Sequence, residues 1–247
     1  MRILLILLWL SALPVRAADN PDGPTILARA TQAAGGAEWA NAKTLMLSGH
    51  AVFWGPTGAA PRSTADSYMM WRVYDPGRTV AHAAEGKVRI IAKSGEKQIF
   101  TVGFDGITTW TEKGITPPVE AASFWASNFG FGIIRHALEP GFKAERLADD
   151  SIGKHALFIV RLTDPNGGIT LFGIDAKTYA IRSMGFTTPK GWHLRTYDDF
   201  ARLKRPDWLQ ARKVTLYYNG VKANEVYWDQ TVVNGPVDDA LFAPPKP

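Results

Sequence analysis

Apolar and polar positions change period at residue 44. Before it, Ile26, Leu27, Ala30 and Ala34 recur at helical spacing, with Asp22 placed to cap the helix and Gly35-Gly36 to end it. This predicts a helix over residues 24–34, followed by a short helical turn over 37–42. From Thr44 the alternation is that of strands: Leu45, Leu47, Ala51 and Phe53 against Met46, Ser48, His50 and Trp54, then Met69, Trp71 and Val73 against Tyr68, Met70, Arg72 and Tyr74. Further strands are expected over 79–84, 87–93, 98–104 and 108–112. The turns Pro76-Gly77, Glu85-Gly86, Ser94-Gly95 and Asp105-Gly106 separate them, as suits an antiparallel meander.

One segment breaks the meander. Pro117-Pro118 opens a helical stretch through Leu138, and Pro140-Gly141 closes it. It is apolar almost all round, so it must be enclosed or must cover something apolar, and Gly130 and Gly132 predict a break in its middle. Strands resume over 142–146, 156–163, 168–175, 181–187, 192–200, 212–218 and 224–233, with hairpin turns at residues 165–168 and at Asn219-Gly220.

The expected fold is mostly β: a large curled antiparallel sheet, a half-open barrel, with an N-terminal helix and a central apolar helix covering the concave face. One register of the sheet puts Leu45, Leu47, Phe53, Met69, Trp71, Val73, Val88, Ile90, Phe100 and Val102 on the inner face. Phe124, Trp125, Phe129, Ile133 and Ile134 of the covering helix would face them. Such an interior is a container for acyl chains, or a core in which the same side chains fill one another.

Composition narrows the function. There is no cysteine, so neither disulfides nor thiol chemistry operate. The formal charge of +5 falls to +3 without Arg2 and Arg16, and no run of Lys or Arg forms a nucleic-acid footprint. His50, His82, His136, His155 and His193 are scattered without metal-ligand spacing. The acid pairs Asp149-Asp150, Asp198-Asp199 and Asp238-Asp239 are adjacent residues, which in a strand point to opposite faces. There is no Gly-x-Ser-x-Gly elbow, and Gly130-Phe131-Gly132 is too short for a dinucleotide loop. The reading is a non-catalytic protein without metal or cofactor. Its expected partner is a lipid or acylated ligand, with an envelope protein as an alternative.

Location follows from the first residues. Met1-Arg2 precedes an apolar run, Ile3 to Leu13, and Pro14-Val15-Arg16-Ala17 ends in small residues. The run is too short for a permanent membrane span and reads as a secretory signal over residues 1–17. The mature chain would begin at Ala18 or Asp19 and form one domain through residue 247. No cysteine follows the apolar run to carry a lipid, and no later segment is apolar enough to cross a membrane, so a soluble periplasmic protein is expected.

Several stretches resemble the outer-membrane lipoprotein-sorting (LolA/LolB/RseB-like) superfamily. The end, Asn234-Gly235-Pro236-Val237-Asp238-Asp239-Ala240-Leu241-Phe242-Ala243-Pro244, is similar to the family's closing pattern after its last strand. Phe104-Asp105-Gly106 with Trp110, Gly173-Ile174-Asp175-Ala176-Lys177-Thr178, and Ala33-Ala34-Gly35-Gly36 are similar to family turns and to the end of its first helix. The chain departs from the family where Leu-Pro often precedes the late hairpin, having Trp208-Leu209-Gln210-Ala211 before Tyr217-Tyr218-Asn219-Gly220. The resemblance implies the half-barrel fold. It carries over no lipoprotein-carrier residue, so three functions stay open: a lipid carrier, an envelope interaction or sensor module with a packed interior, and a periplasmic hydrolase.

Overall fold

The computed structural model describes residues 20–245. The leader expected over residues 1–17 lies outside the described residues. The first helix, α1 (Gly23–Ala34), begins where Asp22 accepts the Thr25 N–H at 2.9 Å. It ends at Gly35, whose φ of 137° and whose closeness to the Asp207 carbonyl leave no room for a Cβ. A short helix α2 (Gly36–Ala40) follows.

Fourteen strands then form one antiparallel sheet. They are β1 (Thr44–Trp54), β2 (Pro61–Val73), β3 (Lys87–Ser94), β4 (Lys97–Phe104), β5 (Thr109–Thr111), β6 (Gly114–Ile115) and β7 (Lys143–Arg146). The rest are β8 (Asp150–Ile152), β9 (His155–Thr163), β10 (Ile169–Asp175), β11 (Ile181–Thr188), β12 (Gly191–Lys204), β13 (Asp207–Tyr218) and β14 (Val221–Val233). The order is β6-β5-β4-β3-β2-β1-β14-β13-β12-β11-β10-β9-β7, with β8 paired to β9. The first and last strands therefore meet in the middle, Leu45 opposite Val233, and each half of the chain is a meander running to or from one edge.

This topology explains the apolar segment. The chain leaves the first half at β6 and must enter the second at β7, on the opposite edge. It crosses the concave face as α3 (Pro118–Asn128) and a 3-10 turn (Phe131–His136). The expected break is present: Phe129 is extended, at φ −109° and ψ 135°, and Gly130 leads into the turn.

Residues 79–84 are not the expected strand; they lie in the β2–β3 loop. The Arg78 side chain supplies the reason, because it binds the carbonyls of Val80 and Ala81 and the Glu85 carboxylate, satisfying groups a strand would pair. The loop also reaches the β9–β10 hairpin. The Ala81 N–H donates to Asp164 at 2.7 Å, Asn166 donates to the Thr79 carbonyl at 3.1 Å, and His82 contacts Thr170 at 2.9 Å. Segments far apart in strand order touch there, which means that the sheet is curled.

Helix α1 packs on β7, β9 and β13, with Ile26 and Leu27 fully buried. The C-terminal segment clasps the first half of the sheet through its 3-10 turn (Asp239–Phe242). Trp110 Nε1 and Arg89 Nη1 each donate at 2.8 Å to the carbonyls of Phe242 and Leu241, and Asn234 accepts the Lys43 N–H at 2.7 Å. The closing pattern noted in the sequence is thus a structural clasp. Among the described residues no helix is long and apolar enough to cross a membrane.

Candidate functional site: a cavity under the crossing segment

Directly paired residues on adjacent strands share a face. Leu45 pairs with Arg72, Arg72 with Val88 and Val88 with Phe104; one step on, Leu47 pairs with Met70, Met70 with Ile90 and Ile90 with Val102. This face is concave, and with the crossing segment it bounds a partly open cavity of about 300 Å3. From the first half, Leu45, Leu47, Tyr68, Met70, Ile90, Phe100 and Val102 line it. From the crossing segment come Phe124, Phe129 and Phe131, and from the second half Tyr197, Trp208, Val214, Leu216, Val226 and Trp228.

The expected inner-face residues divide into three groups. Leu45, Leu47, Ile90, Phe100, Val102, Phe124 and Phe129 line the cavity. Phe53 packs at its end against Tyr68 and Phe100, with ring centroids 6.3 and 5.9 Å apart, while Val88 and Trp125 form a packed cluster with Val102 just beneath the cover. Ile133 and Ile134 belong to this second, packed group, fully buried in the main core and outside the lining.

The third group is a correction. Met69, Trp71 and Val73 pair with Ile91, Arg89 and Lys87 on the other face of the sheet. Strand β2 turns Tyr68, Met70 and Arg72 inward instead, one residue out of the expected register. Apolar or aromatic side chains at four consecutive positions, 68 to 71, leave the alternation ambiguous, and a buried Arg72 inverts the usual sign of its position. We expect Trp71→Ala to leave apolar-probe affinity unchanged and Phe129→Asp to reduce it by roughly tenfold or more in a dye titration. The reverse order would return β2 to the sequence-based register.

The missed features of the lining are its cations and the second half of the sheet. Arg72, Arg135 and Arg195 line the cavity, and among the described residues no carboxylate does. Glu85, 4% exposed, sits behind it and pairs with Arg72 at 2.8 Å and with Arg78. Burial pushes its carboxyl up, but Arg72 and Arg78 outweigh this and hold it below its usual range. Among the described residues Arg135 forms no ion pair; it stands over Tyr74, Trp39 and Trp208, at 4.2, 4.5 and 5.0 Å from their centroids. Burial pushes the Tyr68 phenol up to about 12 and raises Tyr197 as well, so both are neutral donors. The alternation of Val214 with Leu216 and of Val226 with Trp228 would have located the second half; nothing in the sequence marks the arginines as interior.

His193 lies beside the cover, stacked on Phe186 at 4.5 Å, with Nδ1 2.9 Å from the Ser127 carbonyl. Burial, aided by Arg195, lowers its pKa from 6.5 to about 3. The unfolded chain therefore takes up a proton on His193 that the folded chain refuses between those values. Its stabilising contribution is complete above pH 6.5 and falls as pH drops toward 3, by about 1.4 kcal/mol per unit at most. Denaturant titrations at pH 7 and 4.5 should show this loss, and His193→Gln should flatten it. An unaltered pH slope in the variant would place the acid sensitivity elsewhere.

His193 and Ser127 do not form a nucleophile–base pair. The imidazole meets Ser127 through the serine's carbonyl, whereas the Ser127 hydroxyl has no hydrogen-bond partner among the described residues. A base with a pKa near 3 would also be a poor proton acceptor at neutral pH. Among the described residues no group of His, Asp or Glu is arranged to hold a metal ion.

Solved structures share this architecture. An outer membrane lipoprotein-sorting protein domain from Vibrio parahaemolyticus superposes with a TM-score of 0.54 at 13% identity, covering 89% of this chain and 95% of that one. A LolA superfamily protein from Nitrosomonas europaea gives 0.53 at 10% identity, covering 90% and 98%. A DUF1329 family protein from Desulfovibrio piger gives 0.52 at 9% identity, covering 90% and 95%. No protein-family model matches the chain, and no curated protein matches its sequence. The chain has the LolA-like fold, and at these identities the likeness concerns the fold alone.

Proposed function

We propose that this chain is an exported, periplasmic, non-catalytic binding or carrier protein for a lipid or a lipid-bearing ligand. The observation that carries the reading is the partly open cavity between the sheet and the crossing segment, lined mainly by aromatic and aliphatic side chains. A core made only for stability closes such space, because its lining forfeits dispersion contacts. At about 300 Å3 the cavity lies at the small end of ligand sites, which run to about 1,000 Å3. It suits one acyl chain better than several.

The cover supplies the entry route. Helix α3 and the 3-10 turn are joined through the extended Phe129 and through Gly130, so each can shift without breaking a continuous helix. A ligand opens such a cover only by preferring the open form. The test uses the mature protein, purified and examined by lipid mass spectrometry, then titrated with a neutral apolar dye. Co-purifying lipid, or dye binding competed by lipid, is the expected result. A folded protein that binds neither would remove the carrier reading and leave the interaction module in its place.

The interaction reading has its own observation. Ile107, Ile115 and Val119 are largely exposed at the β5–β6 end of the sheet and at the start of α3, where apolar side chains are open to a partner.

A further inference from the structure

The cavity is apolar in its walls and cationic in its charge. We infer that it takes a single-chain amphiphile with an anionic headgroup, a carboxylate or a phosphate monoester, whose oxygens are received by Arg72, Arg135 and Arg195 while its tail lies among the aromatic side chains. The inference rests on the proposed binding role and names the ligand class within it.

Three observations converge. First, the guanidiniums gather where the cover breaks. Arg72 stands over Phe129 at 4.8 Å and over Tyr74 at 4.9 Å, Arg135 stands over the same Tyr74 at 4.2 Å, and Arg195 donates to the Asn128 carbonyl at 2.9 Å. Second, their charge is only partly balanced locally, by a single carboxylate. Glu85 is shared between Arg72 and Arg78 and attracts Arg135 without pairing with it, while among the described residues Arg135 and Arg195 make hydrogen bonds only to neutral groups: the Trp39 carbonyl and the Tyr74 hydroxyl for one, the Asn128 carbonyl for the other. Third, donors at the cavity lack acceptors. Arg72 Nε, Arg135 Nε and the Tyr197 hydroxyl are buried without a hydrogen-bond partner among the described residues, and Tyr197 is only 7% exposed.

Cations withdrawn from water into an apolar cavity and buried donors without partners are costly, and native structures rarely keep several together without a reason. A neutral acyl chain satisfies none of them. An oxyanion offers lone pairs to several donors at once, and Arg forms charge-assisted, frequently bidentate bonds with carboxylate and phosphate. Aromatic stacking stabilises the guanidiniums in place without consuming their in-plane N–H groups, so they remain available to an incoming anion.

The experiment displaces a neutral apolar dye with dodecanoate, dodecyl phosphate and dodecanol, which share a tail and differ in head. For the wild-type protein the better anion should compete roughly tenfold more strongly than dodecanol, as expected for a charge-assisted hydrogen bond. The ranking of the two anions assigns carboxylate or phosphate. Arg135→Gln and Arg195→Gln should each erase most of that preference while leaving dodecanol unchanged, and Arg195→Lys should restore part of it. Arg195 is half-buried and makes one hydrogen bond to a backbone carbonyl, so its variants decide the matter if Arg135→Gln does not fold. Equal competition by all three probes, or a preference that survives both glutamine variants, overturns the anion inference and leaves lipid binding standing. Failure of every probe to bind the folded wild type overturns the binding role itself.

Discussion

Glu85→Gln is expected to cost about 3–5 kcal/mol of stability, the range seen when one partner of a buried ion pair is removed. Glu85 receives Arg72 and Arg78, whose side chains are almost as buried as its own. Neutralising it leaves two guanidiniums facing each other in the interior, with Arg135 nearby. The damage would spread, because Arg78 also holds the Val80 and Ala81 carbonyls that shape the β2–β3 loop. The 3-10 turn of the cover rests on the same pair: a Cβ on Gly132 would lie 2.5 Å from Arg78 Nη1 and 2.9 Å from Glu85 Oε2. Because Arg72 and Arg78 hold the Glu85 carboxyl below its usual value of 4.5, its contribution is complete above that pH and is lost as pH falls through the lower, folded value. Urea denaturation at pH 7 is the measurement, with Arg72→Met/Glu85→Gln as the companion variant. The double variant should recover part of the loss, since one orphaned charge leaves with its partner. A single variant within about 1 kcal/mol of wild type would mean that water or rearrangement screens the cluster, and that the loop and cover are held by packing alone.

How much of this could be read in the sequence depended on whether the polarity of a residue matched its place. Strand β1 was legible, because Leu45 and Leu47 share a period of two bounded by the polar Thr44 and Ser48, and they do turn inward. So was the break in the cover, where Gly130 weakens an otherwise continuous helix. Strand β2 was not: with Tyr68, Met69, Met70 and Trp71 in succession, only Arg72 discriminates between faces, and it points the wrong way because Glu85, thirteen residues on, meets it in the interior. That pairing depends on a loop whose shape is set by Arg78, and no periodicity reveals it. The curl of the sheet was legible as a class, but not the meeting of the β2–β3 loop with the β9–β10 hairpin, which rests on single hydrogen bonds such as that from Ala81 to Asp164. The inward arginines are invisible for the same reason. A guanidinium reads as surface until aromatic rings such as Trp39, Tyr74 and Trp208 are brought around it from distant parts of the chain.

Trp125→Ala should cost a similar amount, about 3–5 kcal/mol for truncating a buried aromatic, and it should loosen one part of the molecule more than the rest. Trp125 is 2% exposed and anchors α3 to the sheet. Its ring lies 4.6, 4.9 and 5.9 Å from those of Phe129, Phe124 and Phe104, it packs on Val88 and Val102, and its Nε1 donates to Thr109 Oγ1 at 2.8 Å. The crossing segment is tied covalently only at the two edges of the sheet, so between them it is held by such side-chain contacts. Removing this anchor leaves Thr109 without its donor and Phe124 and Phe129 without the ring they pack around. Amide hydrogen exchange should then speed up across residues 118–128 beyond the change in global stability, while the β12–β14 strands exchange in proportion to it. An apolar dye should enter and leave the variant faster. Phe129→Ala is the control: that side chain is only half-buried and lines the cavity, so it should alter dye affinity with a smaller loss of stability. Uniform acceleration of exchange throughout the Trp125→Ala variant, with dye kinetics unaltered, would show that the crossing segment is an inseparable part of the core, and the proposed entry route would be abandoned.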